Sequence, residues 1–168
     1  MKLKVLELFA GTRSIGKAFE EKGHEVYSVE WDKQHENIDL YADILTVTSE
    51  QILKEFGKPD IIWASPDCTT YSIAAISTHR EREGDGNLAP KSEKAKQSDK
   101  VNQHVLALIK ELNPKFKPMC KNGQPCHVSA PRGSRTGTQG LKGSVLRSKI
   151  PRELCCHVVT MSEVLDFE

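Results

Sequence analysis

No stretch of this chain approaches the ~20 consecutive apolar residues that a helical membrane crossing needs, so no membrane span is expected. An apolar leader is also missing: Met1-Lys2-Leu3-Lys4 runs straight into a strand-like segment, and no signal peptide is expected. The five cysteines lack the regular spacing of a disulfide framework. Together these absences predict a reducing, cytoplasmic compartment. Net charge is nearly absent too, with 24 basic and 23 acidic residues, but the balance is uneven. Residues 113–152 carry nine Lys and Arg with no Asp or Glu, while the first 112 residues carry 15 basic and 19 acidic groups. A basic tract rich in Gly, Ser and Thr suits phosphate-backbone contact, and equally a solvated linker.

What is present is an alternation of strands and helices in one domain's worth of chain, 168 residues. Leu3 to Phe9 reads as a buried strand, and Ser14 to Lys22 as a helix with Ile15, Ala18 and Phe19 on one face and Gly23 at its end. Glu25 to Glu30 is a second strand and the region of Tyr41 to Leu45 a short third one. Thr48 caps a helix over Gln51 that turns Ile52, Leu53 and Phe56 inward, and Asp60 to Ala64 is the fourth strand. This order predicts an α/β fold on a parallel sheet. Thr78 to Gln97, charged and containing Gly84, Gly86 and Pro90, is expected to be a mobile loop. A helix from about Ser98 to Leu112 carries the stripe Val101, Val105, Leu108, Ile109 and Leu112. A fifth strand should follow, yet Asn113-Pro114-Lys115-Phe116-Lys117-Pro118 leads into a stretch without usable periodicity up to Ser148. Pro151 opens a last helix with Leu154, Cys155, Val158 and Leu165 as core candidates. The expected division is 1–112, a basic segment 113–150, and a terminal helix 151–168.

Two strand ends carry the chemistry. Phe9-Ala10-Gly11, followed by Thr12, Ser14 and Gly16, makes a glycine-bearing turn into a helix that is not Gly-x-Gly-x-x-Gly. Glu30 lies 19 residues after Gly11, the spacing at which an acid grips ribose hydroxyls. Asp32 competes for that role, and Asp43 is placed to accept from an adenine amine. Turn glycines and solvated acids are the plain alternative, and the motif alone fits NAD enzymes and methyltransferases equally well. The second strand end, Ser65-Pro66-Asp67-Cys68, sets a thiol just past the carboxyl edge of the sheet, where open α/β sheets bind ligands. A buried small apolar cysteine is the alternative there. Cys120, Cys126 and His127 supply three candidate zinc ligands, too few unless Cys155, Cys156 or His157 joins them, and no metal site is assigned.

Taken in order, these residues resemble the cytosine-5 DNA methyltransferases, particularly the short phage-type or mobile-element versions. Val5-Leu6-Glu7-Leu8-Phe9-Ala10-Gly11 is similar to the family's S-adenosylmethionine turn, and Val29-Glu30-Trp31-Asp32 to its ribose-binding strand end. Ala42-Asp43-Ile44 is similar to its adenine-contacting segment. Ser65-Pro66-Asp67-Cys68 resembles the Pro-Pro-Cys nucleophile motif, with Asp67 in place of the second proline. The resemblance implies a Rossmann-like methyltransferase sheet, truncated here after its fourth strand. It implies S-adenosylmethionine as cofactor and DNA as partner, with Cys68 attacking carbon 6 of a cytosine that has left the stack. The cofactor would meet Phe9, Ala10, Gly11, Thr12, Ser14, Gly16, Glu30, Trp31, Asp43, Ile44, Ser65 and Pro66.

The departures from the family fall after Leu112. Its Glu-Asn motif, whose glutamate handles the cytosine ring nitrogen, has no equivalent, and its arginine-bearing strand motif is also missing. Ala130 to Gly140 resembles a DNA-facing segment from nearer the family's end; Arg132 and Arg135 within it, with Lys142 of the same basic tract, are the candidate DNA contacts. Ile150 to Cys155 resembles the closing helix. The pattern reads as internal shortening and leaves three functions open: a methyltransferase, a non-catalytic module that still binds S-adenosylmethionine or nucleic acid, or an NAD-dependent oxidoreductase. Pro66-Asp67-Cys68 favours the first over the third, and the missing glutamate favours the second for turnover. Amino-group methylation also uses Ser-Pro turns, but Asp67 is followed by Cys68 rather than an aromatic.

Overall fold

A parallel sheet holds the centre, with helices on both of its faces. The computed structural model describes residues 2–72, 75–83, 88–115 and 152–164. Strand β1 (Lys4–Leu8) pairs with β2 (Glu25–Glu30) on one side and β4 (Ile61–Ala64) on the other. The short β3 (Leu40–Tyr41) joins β2, giving the order β3-β2-β1-β4, parallel throughout. The third strand is thus shorter than the sequence predicts. Asp43 ends it by accepting a bond from the Leu45 amide, and a 3-10 turn, Ile44–Thr46, follows.

Alternation along β1 divides the core in two. Leu3 and Val5 face one side, where they pack with Ile15, Ala18 and Phe19 of helix α1 (Ser14–Glu21) and with Cys155 and Val159 of helix α5 (Arg152–Val164). Leu6 and Leu8 face the other side and meet Ile52 of helix α2 (Ser49–Glu55) and Val105, Leu108, Ile109 and Leu112 of helix α4 (Glu93–Leu112). Gly23, at φ +84, accommodates the left-handed turn that ends α1. Thr48 caps α2 as expected, its hydroxyl accepting from the Gln51 amide, but Leu53 points outward at 45% exposure. The helix is only two turns long and Ile52 fills its buried face.

The expected loop from Thr78 to Gln97 is a correction. A short helix α3 (Ile76–His79) leads into an antiparallel hairpin, β5 (Arg80–Arg82) with β6 (Leu88–Pro90). Helix α4 begins at Glu93, five residues before the predicted start. The signal is Ser92, whose hydroxyl accepts from the Ala95 amide, followed by a first turn free of Gly and Pro. Of the last helix's predicted core contacts, Cys155 is buried and Val158 packs partly buried beside it; the Leu154 side chain and Leu165 lie outside the described residues. No described helix is long and apolar enough to cross a membrane.

Candidate functional site

The chain leaves β1 toward β2 on one side and reaches β4 on the other, so the sheet reverses direction at β1. A crevice opens at the carboxyl ends of strands where order reverses, and here it is a cleft of about 420 Å³. The ends of β1, β2 and β3 line it through Phe9, Val29, Glu30, Trp31, Ala42, Asp43 and Ile44, and the turn after β4 through Pro66 and Asp67. The far wall is the first half of α4, through Lys94, Gln97, Ser98, Val101 and Asn102. The sequence singles out none of these α4 residues for such a role: Lys94 and Gln97 fall in the expected loop, and Val101 reads as a core position of the helix.

The turn after β1 owes its shape to backbone rarely used by side-chain-bearing residues. Phe9 and Arg13 sit at φ 58 and 56, and Gly11 at φ 50. Nothing lies within 4 Å of where a Cβ on Gly11 would project, so the chain is open there. Glu30 holds this turn against the next strand end. Its Oε2 accepts from the Gly11 amide at 2.9 Å, and its Oε1 accepts from the Trp31 and Asp32 amides at 2.9 and 3.1 Å. A carboxylate offers about four acceptor positions, so three protein bonds leave room for one ligand hydroxyl at the cleft edge. Trp31 is 70% exposed and lines the same cleft. Thr12 and Ser14 hydroxyls bond each other at 2.9 Å, and the Ser65 hydroxyl accepts from Trp63 Nε1 at 2.8 Å. Ala10, Gly11, Thr12, Ser14, Gly16 and Ser65 do not line the cleft, whereas Phe9, Glu30, Trp31, Asp43, Ile44 and Pro66 do.

Gly16 has a different task from the one expected of it. Glu7 continues the Leu3–Val5 row of β1 and therefore points into the α1 face, where it is 2% exposed. The Gly16 amide donates to Glu7 Oε1 at 3.1 Å, and a Cβ on Gly16 would collide with Glu7 Oε2. Burial pushes the Glu7 carboxyl up to about 7, against the lowering effects of the Gly16 bond and nearby Arg13. Arg13, itself buried, donates Nε to Ser28 Oγ at 2.8 Å and pairs with Glu20.

On the β4 side, Cys68 is exposed and opens the 3-10 turn Thr69–Tyr71. The Tyr71 amide donates to Cys68 O at 3.0 Å. Asp67 accepts from the Thr69 amide at 2.8 Å and from its hydroxyl, and Lys94 approaches at 3.4 Å. Burial raises the Asp67 pKa, but the Thr69 bonds and Lys94 outweigh it and hold the carboxyl below its usual range. Under the turn lies Arg80, buried and stacked 3.8 Å from the Tyr71 ring centre. Sequence reasoning misses Arg80 because its partners, Thr70 and Asp99, are 10 and 19 residues away in unrelated elements. Cys120, Cys126, His127, Arg132, Arg135 and Lys142 all lie outside the described residues. Among the described residues no three His, Cys, Asp or Glu side chains gather as metal ligands.

The family model for C-5 cytosine-specific DNA methylase matches residues 3–116, most of the chain, so this chain belongs to that family. No curated protein matches it. The fold is accordingly the Rossmann-like methyltransferase fold, and the family's methyl donor is S-adenosylmethionine. The cleft suits that molecule chemically: apolar Phe9, Val29, Ile44 and Val101 offer a surface for a base, and Glu30 retains an acceptor position for a ribose hydroxyl.

Proposed function

We propose that this member of the C-5 cytosine-specific DNA methylase family binds S-adenosylmethionine in the β1–β2–β4 cleft and uses Cys68 as the nucleophile on cytosine in DNA. The observation that carries the reading is Cys68 itself: an exposed thiol past the carboxyl end of β4, next to the cleft residues Pro66 and Asp67. Glu30, Asp43 and Trp31 would hold the cofactor, which when bound supplies the methyl group. The chain's own part is covalent. The Cys68 thiolate forms a bond to ring carbon 6 and the electron pair moves to carbon 5, which becomes nucleophilic. After carbon 5 is methylated, its proton leaves to a base, the ring double bond re-forms, and the carbon–sulfur bond breaks to return the thiolate.

Charge develops on the ring during that attack, and a carboxyl group at the ring nitrogen would stabilise it. After Leu112 the next glutamate in the sequence is Glu153, so no Glu-Asn motif follows α4. Losing one positioned acid–base group lowers rates by about 10²–10⁴-fold, and turnover is expected to be weak. That same absence supports the second reading, a remnant that binds S-adenosylmethionine or nucleic acid without turnover. DNA would be met by the basic 113–150 segment, with Arg132, Arg135 and Lys142 as phosphate contacts.

The test is transfer of labelled methyl groups from S-adenosylmethionine to cytosine-containing DNA by the wild-type chain and Cys68→Ser, with cofactor binding followed by calorimetry in both. Slow transfer that vanishes in Cys68→Ser, with cofactor affinity retained, is the expected result. Equal transfer by the two proteins would remove the cysteine mechanism. Binding without any transfer would leave the second reading.

A further inference from the structure

We propose that Arg80 is the positioning residue for the Cys68 turn, fixing it against the α4 wall of the cofactor cleft. The proposal rests on the reading of Cys68 as nucleophile. Arg80 has five N–H donors, and the structure gives it five bonds. Nε donates to Thr70 O at 3.2 Å and Nη2 to Thr70 Oγ1 at 3.2 Å. Nη1 and Nη2 form a fork on the two oxygens of Asp99, and Nη1 also reaches Leu88 O at 3.3 Å. A fork of this kind fixes direction as well as distance.

The bonds run in one direction. Two of them end on Thr70, in the single turn that Cys68 opens and that the Tyr71 amide closes onto Cys68 O. The fork ends on Asp99, on α4 between the cleft residues Ser98 and Asn102. Tyr71 closes the circuit: its ring lies on the Arg80 guanidinium, its hydroxyl donates to Asp99 Oδ1, and it accepts from Asn102 Nδ2 at 2.9 Å. The nucleophile's turn and the cofactor's wall are therefore tied through one guanidinium that touches neither the cleft nor the thiol. A buried ion pair is weak evidence for stability by itself. Its geometric product here is a fixed distance between Cys68 and the cleft. A 1 Å misplacement of a reacting group is worth about 10²-fold in rate.

The experiment compares wild type, Arg80→Lys, Arg80→Ala and Tyr71→Phe. It measures kcat and KM for DNA methylation, S-adenosylmethionine Kd by calorimetry, and heteronuclear NOE values for the Thr69, Thr70 and Tyr71 amides. Arg80→Lys keeps the charge opposite Asp99 and protects the fold, but loses the fork. We expect kcat to fall about 10²-fold in Arg80→Lys and Arg80→Ala and less in Tyr71→Phe, with cofactor Kd within about twofold of wild type. NOE values should drop in the turn and hold in β1 and β2. Unchanged kcat in Arg80→Lys, or a loss of cofactor binding that parallels the loss of kcat, would overturn the proposal. A wild-type chain that transfers no methyl group would instead refute the methyltransferase reading. The NOE values then decide the positioning role: a drop confined to Thr69–Tyr71 in a folded Arg80→Lys upholds it, and no drop overturns it.

Discussion

Glu7→Gln should make this protein more stable at pH 8 than wild type and remove much of its pH dependence between pH 5 and 8. Glu7 is buried under α1, its carboxyl raised from 4.5 to about 7 chiefly by burial. In that interval the folded state keeps a proton that the unfolded chain has released, so stability falls as pH rises. The stabilising effect is fully present below about pH 4.5 and is lost as pH passes through about 7. A tenfold change in proton affinity is worth about 1.36 kcal/mol, so Glu7 alone should account for a loss of about 3 kcal/mol across the window. Glutamine has nearly the same shape, its oxygen can still accept from the Gly16 amide, and it has no charge to desolvate. The assay is urea unfolding at pH 5, 6, 7 and 8 for both proteins. The difference between the two curves isolates Glu7 from every other titrating group. Parallel curves would refute the reasoning and mean that Arg13 and Ser28 keep the carboxylate ionised at neutral pH.

Two further substitutions test the packing on the two faces of the sheet. Gly16→Ala should destabilise by about 1–3 kcal/mol by overpacking against Glu7, and most of that loss should disappear when Glu7→Ala is combined with it; additive losses in denaturant midpoints would show that the two residues do not meet. Leu108→Ala removes a side chain that is 2% exposed where α4 meets β1 and should cost about 2–5 kcal/mol in urea unfolding; a loss under 1 kcal/mol would mean that α4 is not anchored to the sheet there.

Much of the sheet is legible because each strand repeats a simple rule. Leu3, Val5, Leu6 and Leu8 are buried on alternate faces, and the helix periods of α1 and the second half of α4 match the sides they cover. The sequence misleads where one local signal stands for a whole segment. Gly84, Gly86 and Pro90 argue for a loop from Thr78 to Gln97, yet Pro90 sits in β6 and needs no ladder donor at its end. The charged run Glu93-Lys94-Ala95-Lys96 reads as part of that loop. It is the exposed first turn of a helix whose one buried residue there is Ala95. A single small apolar residue in a charged turn leaves almost no periodicity to detect, although the Ser92 cap is in plain view.

The site divides along the same line. Glu30 is marked by its 19-residue spacing from Gly11, and the structure joins the two by a 2.9 Å bond. That spacing is a consequence of one strand–helix–strand unit, so it survives in the sequence. Cys68 stands out because a strand end and a proline turn are local. Arg80, Asp99 and Glu7 do not, because their function comes from neighbours placed by different elements. An arginine in Thr78-His79-Arg80-Glu81 looks like any solvated charge until Thr70, Asp99 and the Tyr71 ring close around it. Glu7 is an acid in a strand that otherwise reads as buried, and its surroundings are set only when α1 covers that face. Its hidden side is still written in the sequence as a rule: the residue two along from Leu3 and Val5 must share their face. Gly16, a residue with no side chain above that position, is the space the acid needs.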